Sequence, residues 1–354
     1  MTSIVERLTR LWRPRRPDVT ICLSAYESEA FVAKAVACAT AQTHRNIRIL
    51  ISIDRSSDRT AEICEALART DRRIEVVHQR EHLGWAGNAN YLLSRVDTEY
   101  FFFYFHDDLI EPDYAAVLLA AIRRHPQAAL AYCDMDHFGG STHTSKALDF
   151  DGPAAHRLMT FFVTPDRGSP LRGLTRRDVV GASLRMQQNA VGGLWANEPY
   201  LLEMAAAGGF VAVPRKLYHR WDDRPGGLTD GWKGMSPEDV VASYRTNMTT
   251  ELEIIGAAAL SAGEHEAVIY GLYLNRVPRY WRMEAGLGRT TVSAPADIHP
   301  TFAFAARPNT NFFPPRIQGW IADREDDMRQ LGAQYAFEGE VVPRPAAMPL
   351  RDGD

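Results

Sequence analysis

Three runs of residues in this 354-residue chain place groups capable of chemistry directly after apolar segments: Ser24-Ala25-Tyr26-Glu27, Asp54, and His106-Asp107-Asp108. The last follows residues 100–105, a run so apolar that it must be a strand buried on both faces. Two adjacent carboxylates at such a strand end repel one another and lose hydration unless a cation neutralises them. A hard divalent ion, Mg²⁺ or Mn²⁺, is the economical candidate, because such ions take oxygen ligands and complete their shell with substrate phosphates and water. The alternative, on these residues alone, is that one aspartate caps the helix after Pro112 and the other is solvated.

The elements that would position these groups alternate along the chain. β-rich runs at 19–23, 47–53, 74–77, 100–105, 130–134 and 210–213 are separated by helical periodicity at 28–40, 58–69, 84–95, 113–125 and 199–207. Ser56 and Ser57 read as caps for the second helix, and Thr175 with Asp178 as a capping box. Residues 139–170, rich in Gly, Ser, Thr and Pro, read as a long loop, and 237–261 and 264–283 as long helices. The pattern predicts an open, mainly parallel α/β sheet flanked by helices, followed by a helical C-terminal region. Ligands of such sheets sit beyond the carboxyl ends of the strands, where the three runs fall. No Gly-x-Gly-x-x-Gly follows the first strand, which argues against a dinucleotide dehydrogenase, and there is no Walker A sequence.

Composition agrees with a globular protein: 45% of residues are hydrophobic and 24% charged. A net charge of −4 offers no general attraction for nucleic acid. Cys22, Cys38, Cys64 and Cys133 lack ligand-like spacing and read as reduced core residues. With no long apolar run at the start, and none approaching the ~20 residues that span a bilayer, the sequence predicts a cytoplasmic protein. Residues 4–16 form a short basic amphipathic pattern that could lie on the inner face of an anionic membrane.

The segment VTICLSAYESEAFVAKAVACATAQTHRNIRILISIDRSSDRTAEI, followed in order by HLGWAGNANYLL, FFFYFHDDLIEPDY and NEPYLLEMAAAGGFVAVPRKLYHRW, resembles glycosyltransferase family 2. The resemblance implies a GT-A catalytic domain over 18–235, between an N-terminal segment (1–17) and a mainly helical region (236–354). It also implies inverting transfer of a sugar from a nucleotide-diphosphate donor, UDP-linked by expectation, to a hydroxyl of a glycan, lipid-linked or protein acceptor. Carried over residue by residue, Ala25 and Tyr26, with Glu27 beside them, would line the base pocket. Asp54 would bind base or ribose, and Gly84 and Asn88 would lie near the donor. Asp107 would be the principal ligand of Mn²⁺ or Mg²⁺, with Asp108, His106 or His219 completing the site and Arg224 as an alternative charge for the diphosphate. Glu198 would be the catalytic base.

The chain departs from the family pattern at Ile53 and Phe105, where acidic residues are usual, and in having Glu198 where an aspartate is usual. Those departures support a second reading, a catalytically impaired GT-A-fold binding or scaffold protein. A sugar nucleotidyltransferase is disfavoured because no Gly-rich phosphate loop follows the first strand. Trp195, Trp221 and Trp232 are candidates for stacking on sugar rings, and Arg172, Arg176 and Arg177 for meeting an acceptor phosphate.

Overall fold

The computed structural model describes residues 17–166, 168–189 and 192–344. The basic 4–16 segment lies outside the described residues. In chain order the first half runs β1 (Val19–Ala25), α1 (Val32–Thr40), β2 (Ile47–Ile53), α2 (Thr60–Ala68), β3 (Ile74–His78), α3 (Gly84–Ser94), β4 (Tyr100–Phe105), β5 (Leu109–Ile110) and α4 (Tyr114–Arg123). The second half runs β6 (Ala128–Gly139), β7 (Thr144–Ser145), α5 (Ala154–Val163), β8 (Leu174–Arg176), α6 (Asn197–Ala207), β9 (Gly209–Asp222), α7 (Pro237–Ala257), α8 (Ala262–Gly286) and α9 (Pro315–Gln334), with shorter turns of helix between.

One curled sheet collects the strands in the order β3-β2-β1-β4-β8-β6-β9-β5, with β7 beside β6. The first four strands are parallel, β8 runs antiparallel to both β4 and β6, and β6 and β9 are parallel again. The sheet is therefore parallel in its first half and mixed in its second. Chain order turns back between β1 and β4, which makes the gap beyond their carboxyl ends the switch point where an open α/β sheet takes its ligand.

Strand β4 shows why the sheet is covered on both sides. Side chains alternate across a strand: Phe101 and Phe103 join the core under α3, α5, α6 and the C-terminal helices, while Phe102 and Tyr104 join the core under α1 and α4. The C-terminal helices α7, α8 and α9 pack on α5 and α6. Among the described residues, no helix is long and apolar enough to cross a membrane.

Three local expectations are corrected. The stretch expected as loop over 139–170 contains α5, whose Leu158, Met159, Phe161 and Phe162 are buried. Thr175 lies in β8 and no capping box forms there; the single turn Arg177–Val180 has no side-chain cap. The second helix takes no cap from Ser56 or Ser57: its N-cap residue is Arg59, which makes no side-chain cap bond, and Asp58 before it accepts the Thr60 N–H on Oδ1 at 3.0 Å.

Candidate active site

Beyond β1 and β2 the chain builds a small aromatic shelf. Ala25 is buried at the end of β1, and the next residue, Tyr26, exposes its ring, 42% accessible, with its centroid 4.6 Å from that of His82. Asp54 follows β2 and is buried. Its Oδ1 accepts the Leu83 N–H at 2.7 Å and its Oδ2 lies 3.2 Å from His82 Nδ1. Asp54 therefore holds His82 against Tyr26 and does not itself face the cleft. Gly84 opens α3 at φ +69, a conformation that favours glycine, with open space where a side chain would stand.

Two of the expected donor contacts are committed elsewhere. Asn88 is fully buried: its amide donates to Ser24 Oγ at 2.8 Å and to the Ser52 carbonyl at 3.1 Å, and it accepts from Ser52 Oγ, so it ties the ends of β1 and β2 together. Glu27 accepts the Ser57 N–H at 2.7 Å and the Ser57 hydroxyl at 2.9 Å, which pins the loop after β2. Glu27 does so with φ +42, and Arg55, Trp195 and Asp223 also have positive φ. Four strained non-glycine residues in the loops around one cleft fit the tendency of functional sites to store backbone strain.

Beyond β4 lies a cleft of about 300 Å³ walled by Trp85, Trp195, Trp221 and Trp232, with Asn197 among its lining residues. The three tryptophans singled out in the sequence thus share one wall. The charged side chains lining it are three aspartates, Asp107, Asp108 and Asp223, and three arginines, Arg172, Arg220 and Arg224. Asp108 is buried. Its Oδ1 accepts the Trp221 N–H at 3.0 Å, and its Oδ2 meets the Tyr218 hydroxyl at 2.8 Å and Arg172 Nε at 3.1 Å. Burial opposes the Arg172 charge, but Asp108 outweighs it and raises the guanidinium above its usual range. Arg172 also lies 4.6 Å from the centre of the Phe105 ring. Where relatives carry an acidic residue, this chain offers an aromatic face to a cation.

Asp107 is bound by Arg224, with Nε 2.8 Å from Oδ2, and the guanidinium lies 4.5 Å from the Phe31 ring centre. His106 places Nδ1 3.0 Å from the Ser24 carbonyl. Burial pushes its imidazole below the ordinary value, against the pull of Asp107, so it is neutral at neutral pH.

Three further expected site residues have protein partners. His219 bonds Glu111 at 2.8 Å and does not line the cleft with Asp107. Asp108 has protein donors on both oxygens and is not a free ligand. Glu198 opens α6 one residue after cleft-lining Asn197, but it does not line the cleft; it pairs with Arg276 at 2.5 Å and with Arg279 at 3.6 Å on α8. A general base must reach the hydroxyl it deprotonates, and this carboxylate is engaged by guanidiniums of the helical region instead. His82, Phe31 and Asn197 were not singled out in the sequence. Only His82, beside the Gly84 motif, carries a local signal.

Residues 20–180 match the family described as Glycosyl transferase family 2. The match covers a little under half of the chain, from β1 to the turn after β8. The chain is 28% identical over 173 residues to the putative glycosyltransferase EpsH of Bacillus subtilis, covering 47% of this chain and 49% of that one. It is 32% identical over 104 residues to glycosyltransferase GlyA of Streptococcus pneumoniae, covering 29% of this chain and 15% of that one. The chain thus spans about half or less of the length of these curated relatives. The fold is similar to that of S. aureus TarS 1–349, solved in complex with UDP-GlcNAc, with a TM-score of 0.62 at 14% identity over 92% of this chain and 94% of that one. A mannosyltransferase from Pyrobaculum calidifontis, solved with GDP-Man and Mn²⁺, gives 0.50 at 12% identity, over 95% of this chain and 94% of that one.

Proposed function

We propose that the cleft beyond β1 and β4 binds a UDP-linked sugar and that the protein transfers the sugar, with inversion, to a hydroxyl of a glycan, lipid-linked or protein acceptor. The observation that carries this reading is the exposed Tyr26 ring with His82 at the switch point, opening toward a tryptophan-walled cleft. A planar base suits the first surface and a sugar ring the second. The match of residues 20–180 to Glycosyl transferase family 2 and the nucleotide-sugar complexes of proteins with similar folds support it.

Inverting transfer breaks the bond between the anomeric carbon and the diphosphate, leaving its electron pair on the nucleoside diphosphate. The acceptor oxygen forms the new bond and gives up its proton. Asp107 and Asp108 are each paired with an arginine, so Asp223 is the cleft carboxylate that remains for that proton. A second reading, a GT-A-fold binding protein without transfer, is favoured by the engagement of Glu198 with Arg276.

The test is thermal stabilisation by UDP, GDP, CMP and dTDP, followed by assay of sugar release from the nucleotide sugar that binds. Binding with slow release supports transfer, and binding without release supports the second reading. No stabilisation by any nucleotide overturns both. Asp223→Asn is expected to keep nucleotide affinity and to lose roughly 100-fold or more in rate, the usual contribution of a general base.

A further inference from the structure

The fold family implies a divalent cation, but the residues that would hold it do not fit one. Phe105 offers no oxygen, both Asp108 oxygens take protein donors, and His219 is bonded to Glu111. That leaves Asp107, whose Oδ2 is held by Arg224. Among the described residues, the one group of three or more His, Cys, Asp or Glu side chains close enough to share an ion is His137, His143 and Asp222, which does not include Asp107.

We propose that Arg224 takes the place of the cation, so that the diphosphate of the donor binds this cleft without a divalent metal; the inference rests on the nucleotide-sugar reading above. Charge balance allows it. Two carboxylates with one divalent ion sum to zero, and so do Asp107 and Asp108 with Arg172 and Arg224. The diphosphate therefore meets the same net charge either way.

Geometry favours Arg224 over Arg172 as the group that touches phosphate. Arg172 bonds Asp108 through Nε and the Gly168 carbonyl through Nη1, and its partner Asp108 is only 2% exposed, whereas Asp107, the partner of Arg224, is 19% exposed at the cleft. Arg224 bonds Asp107 through Nε and the neighbouring Pro225 carbonyl through Nη1 at 3.3 Å, and among the described residues Nη2 is left for a ligand oxygen. Asp107 and the Phe31 ring fix the planar fork from two sides, and a guanidinium stays charged at any pH the protein survives. The loop that carries it turns at Asp223 (φ +49) and Gly226 (φ +70), which brings the residues after β9 back over the cleft.

Calorimetric titration of UDP and of GDP, each in EDTA and in Mn²⁺, tests this on wild type, Arg224→Ala and Arg224→Lys, with unliganded unfolding midpoints to confirm that each variant is folded. The expected result is equal wild-type affinity in EDTA and Mn²⁺, about tenfold or more weaker binding for Arg224→Ala in EDTA, and partial recovery in Arg224→Lys. Wild-type affinity that rises tenfold or more with Mn²⁺ would overturn the inference and leave the nucleotide-sugar reading standing. Arg224→Ala binding as wild type in EDTA would overturn it too. If neither nucleotide binds under any condition, the underlying reading fails and the inference falls with it.

Discussion

The cleft and the helical interior each hold a carboxylate that the sequence marks for chemistry, and in each the carboxylate meets an arginine. At the cleft, Asp107 and Arg224 sit at the edge of a cavity, with side chains 19% and 12% exposed, and the arginine has a donor to spare. In the interior, Glu198 and Glu251 close on Arg276, which is 1% exposed, between α6, α7 and α8. Burial opposes the Arg276 charge, but Glu198 and Glu251 outweigh it and raise the guanidinium well above its usual range. The same kind of ion pair thus borders a cavity in one place and is a cross-link between the sheet-bearing half and the C-terminal helices in the other. Exposure and spare hydrogen-bonding capacity decide which, and residue type alone does not.

The largest effect is expected from Arg276→Met, which leaves Glu251 buried without its cation and Glu198 with only its 3.6 Å pairing to Arg279. The expected loss is about 3–5 kcal/mol of stability by urea unfolding, with UDP affinity unchanged because no cleft side chain is altered. A loss of UDP affinity in a variant that remains folded would mean that the interior triad belongs to the site after all.

Local signals and long-range pairings were not equally legible in the sequence. Strands β2 and β4 fall where the apolar runs place them, because strands covered on both faces leave an unbroken signature. Helix α5 was hidden by the Asp151-Gly152-Pro153 turn before it and the Gly- and Ser-rich stretch around it, although its apolar side chains recur at helical spacing. Strand β9 runs on through Arg215, Lys216, His219 and Arg220, polar residues that locally argue against a strand. At the site, the need for positive charge beside Asp107 and Asp108 could be read from their adjacency. The identity of that charge could not, since Arg224 lies 117 residues from Asp107, and Arg276 is similarly remote from Glu198.

A milder effect is expected at Asp222, which lies between the cleft-lining residues Trp221 and Asp223 and does not itself line the cleft. Burial raises the Asp222 carboxyl, but the Ser141 hydroxyl, Arg220 and His137 together outweigh it and hold the group below its ordinary value of 3.8. A carboxyl lowered on folding gives stability that is fully present above the unfolded value and lost as pH falls through the folded one. Stability should therefore decline on acidification below about pH 4, and Asp222→Asn should flatten part of that decline in urea unfolding followed against pH. An unchanged acid limb would show that the His137–Asp222 pair does not support the wall.

The account depends most on the claim that the donor's base rests on Tyr26 and His82 at the end of β1. Titration of UDP into Tyr26→Ala beside wild type tests it directly. Loss of a base–aromatic contact worth about 1–3 kcal/mol predicts affinity weakened about fivefold to 150-fold, with the unfolding midpoint of the free protein unchanged. Equal affinity in the two proteins would contradict the assignment and move the nucleotide to another part of the molecule.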